Sequence, residues 1–217
     1  MADTGAKAPR ERYRTQVRSE IKQHAWEQIA SAGASALSLN AIAKRMGMSG
    51  PALYRYFAGR DDLLTELIRD AYRSLADTFR AAAGSGADLA GLAHALRGWA
   101  LEDPQRYFLM YGTPVPGYQA PDDVTLIANE IMQVLLDACA ALELRDGRAP
   151  FDEHLESHRE WAAGHPAPAP VLRRALAFWT RMHGVLSLEL AGHFAGMGFD
   201  AALFFESELQ ELTRSGT

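Results

Sequence analysis

Residues 38–57 read SLNAIAKRMGMSGPALYRYF, and their punctuation decides how the chain is to be read. Ser38 is a good N-cap, and Leu39, Ile42, Ala43 and Met46 follow at the i, i+3, i+4, i+7 spacing of one helical face. Gly47 closes that short helix. Ser49 can cap another, with Pro51 in its first turn, where no backbone N–H is needed. Leu53 and Phe57 share a face of this second helix, and Gly59 ends it. Two short helices around a glycine turn make a helix-turn-helix candidate, whose second helix enters a major groove near its N-terminus. With Leu53 and Phe57 turned inward, the helical step of about 100° puts Tyr54 and Tyr56 on opposite flanks and Arg55 directly outward. Ser49 and Gly50 stand at the exposed helix start, where backbone N–H groups can meet phosphates, and Arg60 follows within reach of them.

Charge is distributed to match. The 217-residue chain has a net charge of -5, yet residues 1–60 hold ten Lys and Arg against four acids, and the remainder holds 12 against 23. A basic head on an acidic body suits one end to a polyanion. A hydrophobic content of 48% supports a sizeable core. No apolar run approaches the ~20 residues of a membrane span, and the polar start MADTGAKAPRERYRTQ lacks a signal peptide's apolar stretch. The single cysteine, Cys139, leaves no intrachain disulfide and no cysteine zinc site. The expectation is a soluble, cytoplasmic protein without a membrane partner.

Outward from the quoted stretch, helical periodicity continues to both ends and no strand alternation is sustained. Upstream, Val17, Ile21, Ala25, Ile29 and Ala32 form one stripe, stopped by Gly33. Downstream, a long helix starts near Asp61, with Leu64, Leu67, Ile68, Ala71, Leu75 and Phe79 inward, and residues 82–87 (AAGSGA) read as a loop. Asp88 caps a helix reaching Trp99, and Asp103-Pro104 opens a short aromatic one carrying Tyr107, Phe108 and Tyr111. After the GTPVPGYQAP loop (112–121), a full helix runs from Val124 to Leu142. Near the C-terminus, Leu172, Leu176, Trp179, His183, Leu186, Leu190 and Phe194 form a large apolar stripe. Beside it runs a row of small residues, Ala177, Thr180, Gly184, Ser187 and Ala191, suited to close approach by another helix. Asp200 caps the last helix, with Phe199 and Phe204 placed as a hydrophobic staple. The fold class expected is all-α, about nine helices in all. A three-helix helix-turn-helix head (14–60) follows a disordered basic tail (1–13) and precedes a larger helical body (61–217) for ligand binding and dimerisation.

The stretch Ser38-Leu39-Asn40-Ala41-Ile42-Ala43, with Gly47-Met48-Ser49, Leu53-Tyr54-Arg55-Tyr56-Phe57 and Arg60-Asp61-Asp62-Leu63-Leu64, closely resembles the DNA-binding head of TetR-family transcriptional regulators. The resemblance covers about residues 14–67 and implies that Ser38, Ser49, Gly50, Tyr54, Arg55, Tyr56 and Arg60 touch DNA, mainly its phosphates. Ala52 stands where family members often have Thr or Ser, and Arg60 where they have Lys. The segment AFWTRMHGVLSLELAGHF (177–194) resembles the Trp–His–Gly signature of one C-terminal subgroup, through Trp179, His183 and Gly184. This implies an effector-binding and dimerising body. Its candidate pocket residues are Trp99, Phe108, Tyr111, Trp179 and His183, a mostly apolar set with one polar group.

Other chemistry is weakly represented. His154 and His158 stand four apart, the spacing of two metal ligands on one helix face. However, HLESH is not HExxH and no third ligand is near. No phosphate-binding Gly-rich loop with its Lys occurs, and no GxSxG elbow. The reading is therefore a homodimeric regulator, a repressor without cofactor or metal. It binds double-stranded operator DNA and is released by a small, mainly apolar effector. The rival is a helical metal-binding protein or enzyme built on His154 and His158. The dimer face expected is the small row Ala177, Thr180, Gly184, Ser187 and Ala191, packed on Phe205 and Leu209 of the partner's last helix.

Overall fold

Among the described residues the chain forms ten α-helices and two 3₁₀ turns and no strand. A computed structural model describes residues 9–112, 114–119, 121–143 and 149–214. Those residues form two compact units: one holds the chain up to Arg69 together with the loop 113–120, the other begins at Asp70 and omits that loop.

The first unit contains α1 (Pro9–Ala32), a 3₁₀ turn (Ala34–Ala36), α2 (Leu39–Arg45), α3 (Gly50–Leu53) and the opening turns of α4 (Arg60–Gly84). Ile21, Ala25 and Ile29 of α1 are buried in this unit, as are Ile42, Leu53, Phe57, Leu63, Leu64 and Leu67. The Ser38 hydroxyl accepts from the Ala41 N–H at 3.3 Å, closing the N-terminus of α2. At the other end Gly47 takes φ +66°. Its N–H donates to the Lys44 carbonyl, and the Met48 N–H to Ala43, a Schellman closure that a Cβ would strain.

Four boundaries differ from the sequence reading. First, α1 starts at Pro9, so residues 9–13 of the expected tail are helical; Arg10, Glu11 and Arg12 are good helix formers extending an existing nucleus. Residues 1–8 lie outside the described residues. Second, the helix carrying Leu53 is a single turn, and Tyr54, Arg55 and Tyr56 sit in the turn after it. Third, the first unit extends past residue 60 to Arg69, because Leu63, Leu64 and Leu67 complete its core. Finally, α4 runs through Ala82 and Ala83 to Gly84, into the stretch read as a loop.

The second unit contains the rest of α4, α5 (Leu89–Glu102), α6 (Pro104–Tyr111), α7 (Asp122–Ala140), α8 (Pro150–Ser157), a 3₁₀ turn (Glu160–Ala162), α9 (Ala169–Leu190) and α10 (Ala201–Thr213). Asp88, Asp103 and Asp200 cap α5, α6 and α10, accepting from Gly91, Arg106 and Ala202 N–H groups. Phe199 and Phe204 meet edge to face at 5.8 Å, the expected staple. α9 runs through the core, packed by α5, α6, α7, α8 and α10.

Which face of α9 turns inward is a correction. The buried row is Val171, Leu172, Ala175, Phe178, Met182, Val185 and Leu186, whereas Leu176, Trp179, His183 and Leu190 are only half-buried. Apolar residues cover most of this helix, and the deepest row lies about 100° round from the one formed by its bulkiest members. Burying Phe178 alone contributes roughly 1.5–3 kcal/mol. Phe205 and Leu209 of α10 lie fully inside this same core. Ser187 also turns inward, with its hydroxyl 3.1 Å from that of Tyr107. Thr180, Gly184 and Ala191 are exposed and Ala177 is half-buried.

Candidate functional site

Around the turn after α3 the head gathers cations and phenols. Arg10, Tyr13 and Arg14 of α1 line one depression with Arg55 and Tyr56. Tyr54 and Tyr13 are exposed at 48% and 64%, large values for phenols inside a packed head. Arg10, Arg14 and Arg55 have no acidic partner among the described residues. Ser49 holds the N-cap position of α3 but makes no side-chain cap bond, which leaves its exposed hydroxyl available. Gly50 follows, half-buried, with only Asn40 Oδ1 near where a Cβ would stand.

Arg18 positions this surface from below. Its guanidinium lies over the Phe57 ring at 4.2 Å, donates to the Tyr56 carbonyl and reaches Glu66 at 3.1 Å. Periodicity gives no warning of that role, because Arg18 merely follows the core residue Val17 in the sequence. Arg60 is also committed inside the head, donating to the Ala34 carbonyl at 3.0 Å and lying 3.4 Å from Asp61. It staples the 3₁₀ turn to the start of α4 rather than presenting a free charge. Arg10 and Tyr13 escape sequence reasoning because residues 1–13 read as a tail, and Arg14, although inside the expected head, carries no pattern that marks it.

The second unit holds an apolar cavity of about 270 Å³. Tyr72, Tyr111, Trp161 and Trp179 supply its aromatic wall, and Ala128, Asn129, Ile131 and Met132 of α7 the remainder. Of the five expected pocket residues, Tyr111 and Trp179 line it. His183 stands against both, with ring centroids 4.3 Å and 4.2 Å away. Trp99 does not belong to the cavity: it is buried, donates from Nε1 to Ser74 Oγ at 3.1 Å and lies under the Arg106 guanidinium. Phe108 packs edge to face on Tyr107. Sequence reading missed Tyr72, Met132 and Trp161, which come from three separate segments and share no local pattern.

Behind the cavity lies a buried polar cluster. The Tyr107 hydroxyl is 3.0 Å from His183 Nδ1, 3.1 Å from Ser187 Oγ and 3.2 Å from the His183 carbonyl oxygen. Burial pushes the His183 imidazole down to about 4, so it is neutral at pH 7. Burial likewise raises the Tyr107 and Tyr111 phenols above their usual range. Two polar atoms in this layer, His183 Nε2 and the Tyr111 hydroxyl, are shielded from solvent and have no hydrogen-bond partner among the described residues.

His154 and His158 behave as surface groups. Their rings stack at 4.0 Å, and His158 Nδ1 lies 2.9 Å from the His154 carbonyl oxygen. Among the described residues no group of three or more His, Cys, Asp or Glu side chains is arranged to hold a metal ion. Nor is any helix there long and apolar enough to cross a membrane. Cys139 is a buried thiol pushed up to about 12, a core residue rather than a nucleophile.

The helix-turn-helix head matches a sequence profile described as bacterial regulatory proteins, tetR family, over residues 21–67. A second, described as Tetracyclin repressor-like, C-terminal domain, matches residues 89–212. The chain belongs to the TetR family. Like others of that family it is a DNA-binding transcriptional regulator, and the basic surface around Tyr54–Tyr56 lies in its DNA-binding head. The HTH-type transcriptional regulator Rv1816 of Mycobacterium tuberculosis (strain ATCC 25618 / H37Rv) is 36% identical over 215 residues, covering 92% of each chain. The crystal structure of SCO4313, described as a regulatory protein, is 75% identical with a TM-score of 0.88, covering 94% of this TetR-family chain and 98% of that one. A protein of unknown function from Rhodococcus sp. RHA1 has the same fold at 22% identity, with a TM-score of 0.63 and coverage of 91% and 96%.

Proposed function

We propose that this TetR-family regulator is a cytoplasmic homodimeric repressor that holds a palindromic operator and is released when an apolar effector enters the second unit. The observation that carries the reading is the cavity walled by Tyr72, Tyr111, Trp161 and Trp179, a mostly apolar space with a few polar groups, as small-molecule sites usually are. Ser38, Ser49, Gly50, Tyr54, Arg55 and Tyr56 meet DNA, joined by Arg10, Tyr13 and Arg14, and most of these contacts go to phosphates. Arg60 contributes through the fold of the head. Release needs only a modest difference in effector affinity between the two states, typically ~1–3 kcal/mol.

Dimerisation uses the outward side of α9 with neighbouring apolar groups. Thr180, Gly184 and Ala191 are exposed there, alongside Leu188 at 45% and Leu203 at 70%. Exposed apolar groups of this size suit an interaction site, and small residues on a helix let a partner helix come close. Two linked heads then reach half-sites one turn of DNA apart, about 34 Å. Selection of bound sequences from random DNA is the direct test. Recovery of an inverted repeat protected as one footprint supports the proposal, and sequence-independent binding that vanishes with salt refutes it.

A further inference from the structure

We propose that the effector is a small, flat, uncharged aromatic molecule with an amide-like edge, a C=O beside an N–H, which pairs with the side-chain amide of Asn129. This rests on the cavity being the effector site and assigns the chemical class it takes.

Two observations carry the polar half. Asn129 is the one amide among the residues lining the cavity, and it is half-buried without a hydrogen bond to any described residue. Unlike the Tyr111 hydroxyl and His183 Nε2, its amide is not shut off from water, so it is open to a molecule that occupies this space. Asparagine is also a poor residue for the interior of a 19-residue helix such as α7, and here it makes no bond to the protein that would offset this. An asparagine side chain sets a carbonyl acceptor beside an NH₂ donor. A planar C=O next to an N–H, as in a lactam, satisfies both at once.

The rest of the wall sets the body. Tyr72 and Tyr111 meet at 68° with ring centroids 6.2 Å apart, and Tyr111 and Trp179 at 79° and 5.8 Å. Rings set at such angles offer both faces and edges, and a flat aromatic guest gains from each beyond the area it buries. At about 270 Å³ the space lies just below the ~300–1,000 Å³ usual for small-molecule sites, which suits two fused rings rather than a long chain. No acid or base lines it, and the acid next along α7, Glu130, is held by Arg73 at 2.6 Å and Arg80 at 2.9 Å. A carboxylate entering here would lose its hydration with no cation to receive it. An organic cation would find aromatic faces but no carboxylate partner.

The test uses the full-length protein and five probes titrated calorimetrically at pH 7.5: 2-quinolone, its saturated counterpart octahydro-2-quinolone, naphthalene, 2-naphthoate and (2-naphthyl)trimethylammonium. Three variants accompany the wild type. Asn129→Leu removes the amide at similar size, Asn129→Ala removes it with the best helix former, and Ala128→Trp fills the cavity. Thermal melts confirm folding, and Asn129→Ala carries the test should Asn129→Leu not fold. The expected result is 2-quinolone binding tighter than its saturated counterpart and than either charged probe. Both Asn129 variants should weaken 2-quinolone at least about tenfold more than naphthalene, the worth of one or two hydrogen bonds. Ala128→Trp should abolish binding of every probe. A quinolone affinity indifferent to loss of the amide, a saturated lactam bound as tightly as 2-quinolone, or tightest binding of a charged probe overturns this inference and leaves the cavity standing as the effector site. Absence of any binding, or binding indifferent to Ala128→Trp, overturns the effector site itself and the inference with it.

Discussion

His183 gives the sharpest quantitative expectation, because a neutral imidazole held in an apolar layer ties stability to pH. Its folded value is about 4 against an ordinary 6.5, and burial is the cause. A depressed value means that below pH 6.5 the unfolded chain takes up a proton that the folded chain refuses. Stability from this group is therefore complete above pH 6.5 and declines as pH falls, levelling off near pH 4 where the native imidazole also protonates. Integrating between these values gives a loss of about 2 kcal/mol per chain at pH 5, approaching a ceiling of about 3 kcal/mol. The assay is urea unfolding at pH 7.5, 6 and 5, at one fixed chain concentration since association adds to apparent stability. Wild type is compared with His183→Asn, which keeps an acceptor near Nδ1 for Tyr107 but cannot titrate. Carboxylates and the other histidines titrate equally in both proteins and cancel in the difference. The wild-type midpoint should fall by about 1 M more than the variant's between pH 7.5 and 5, taking a slope of roughly 2 kcal/mol per molar urea. If both proteins lose the same stability over this range, His183 is not held neutral by burial and the reasoning fails.

Tyr107→Phe leaves His183 Nδ1 and Ser187 Oγ without their shared hydroxyl, so it should cost about 1–3 kcal/mol, read as a lower melting temperature; an unchanged melt would mean that water or a rotamer change replaces the bond. Arg55→Ala should weaken operator binding about equally across sequences and lower the salt slope by about one unit. Arg60→Ala, by contrast, should leave the slope unchanged and lower thermal stability, since its guanidinium bonds the Ala34 carbonyl; filter binding over a salt series with parallel melts separates the two. Gly184 faces open space, with nothing within 4 Å of where a Cβ would stand. Gly184→Leu should therefore fold, sediment as a monomer and lose operator affinity, melting lower only by the stability that association adds, and a stable variant dimer would place the interface elsewhere.

What could be read directly from the sequence were signals spanning a few residues. Ser38, Asp88, Asp103 and Asp200 each cap the helix expected of them, because an N-cap bond closes over two or three residues and depends on little else. Gly47 stops α2 for an equally local reason. These stops, with helical spacing throughout, determine an all-α chain with a helix-turn-helix near its start, and the family resemblance attaches DNA binding to that unit. Tertiary structure alone decided which row of α9 is the core, since nearly every side of that helix is apolar and burial has no direction of its own. Phe178 and Met182 won the deep position, which left Trp179 to the cavity wall and His183 packed against it. It also decided that Trp99 is core while Tyr72, Met132 and Trp161 line a common space, and that Arg60 bonds a carbonyl 26 residues earlier in the chain. Such meetings are fixed by how several helices pack at once, and no periodicity along one helix contains the position of the next.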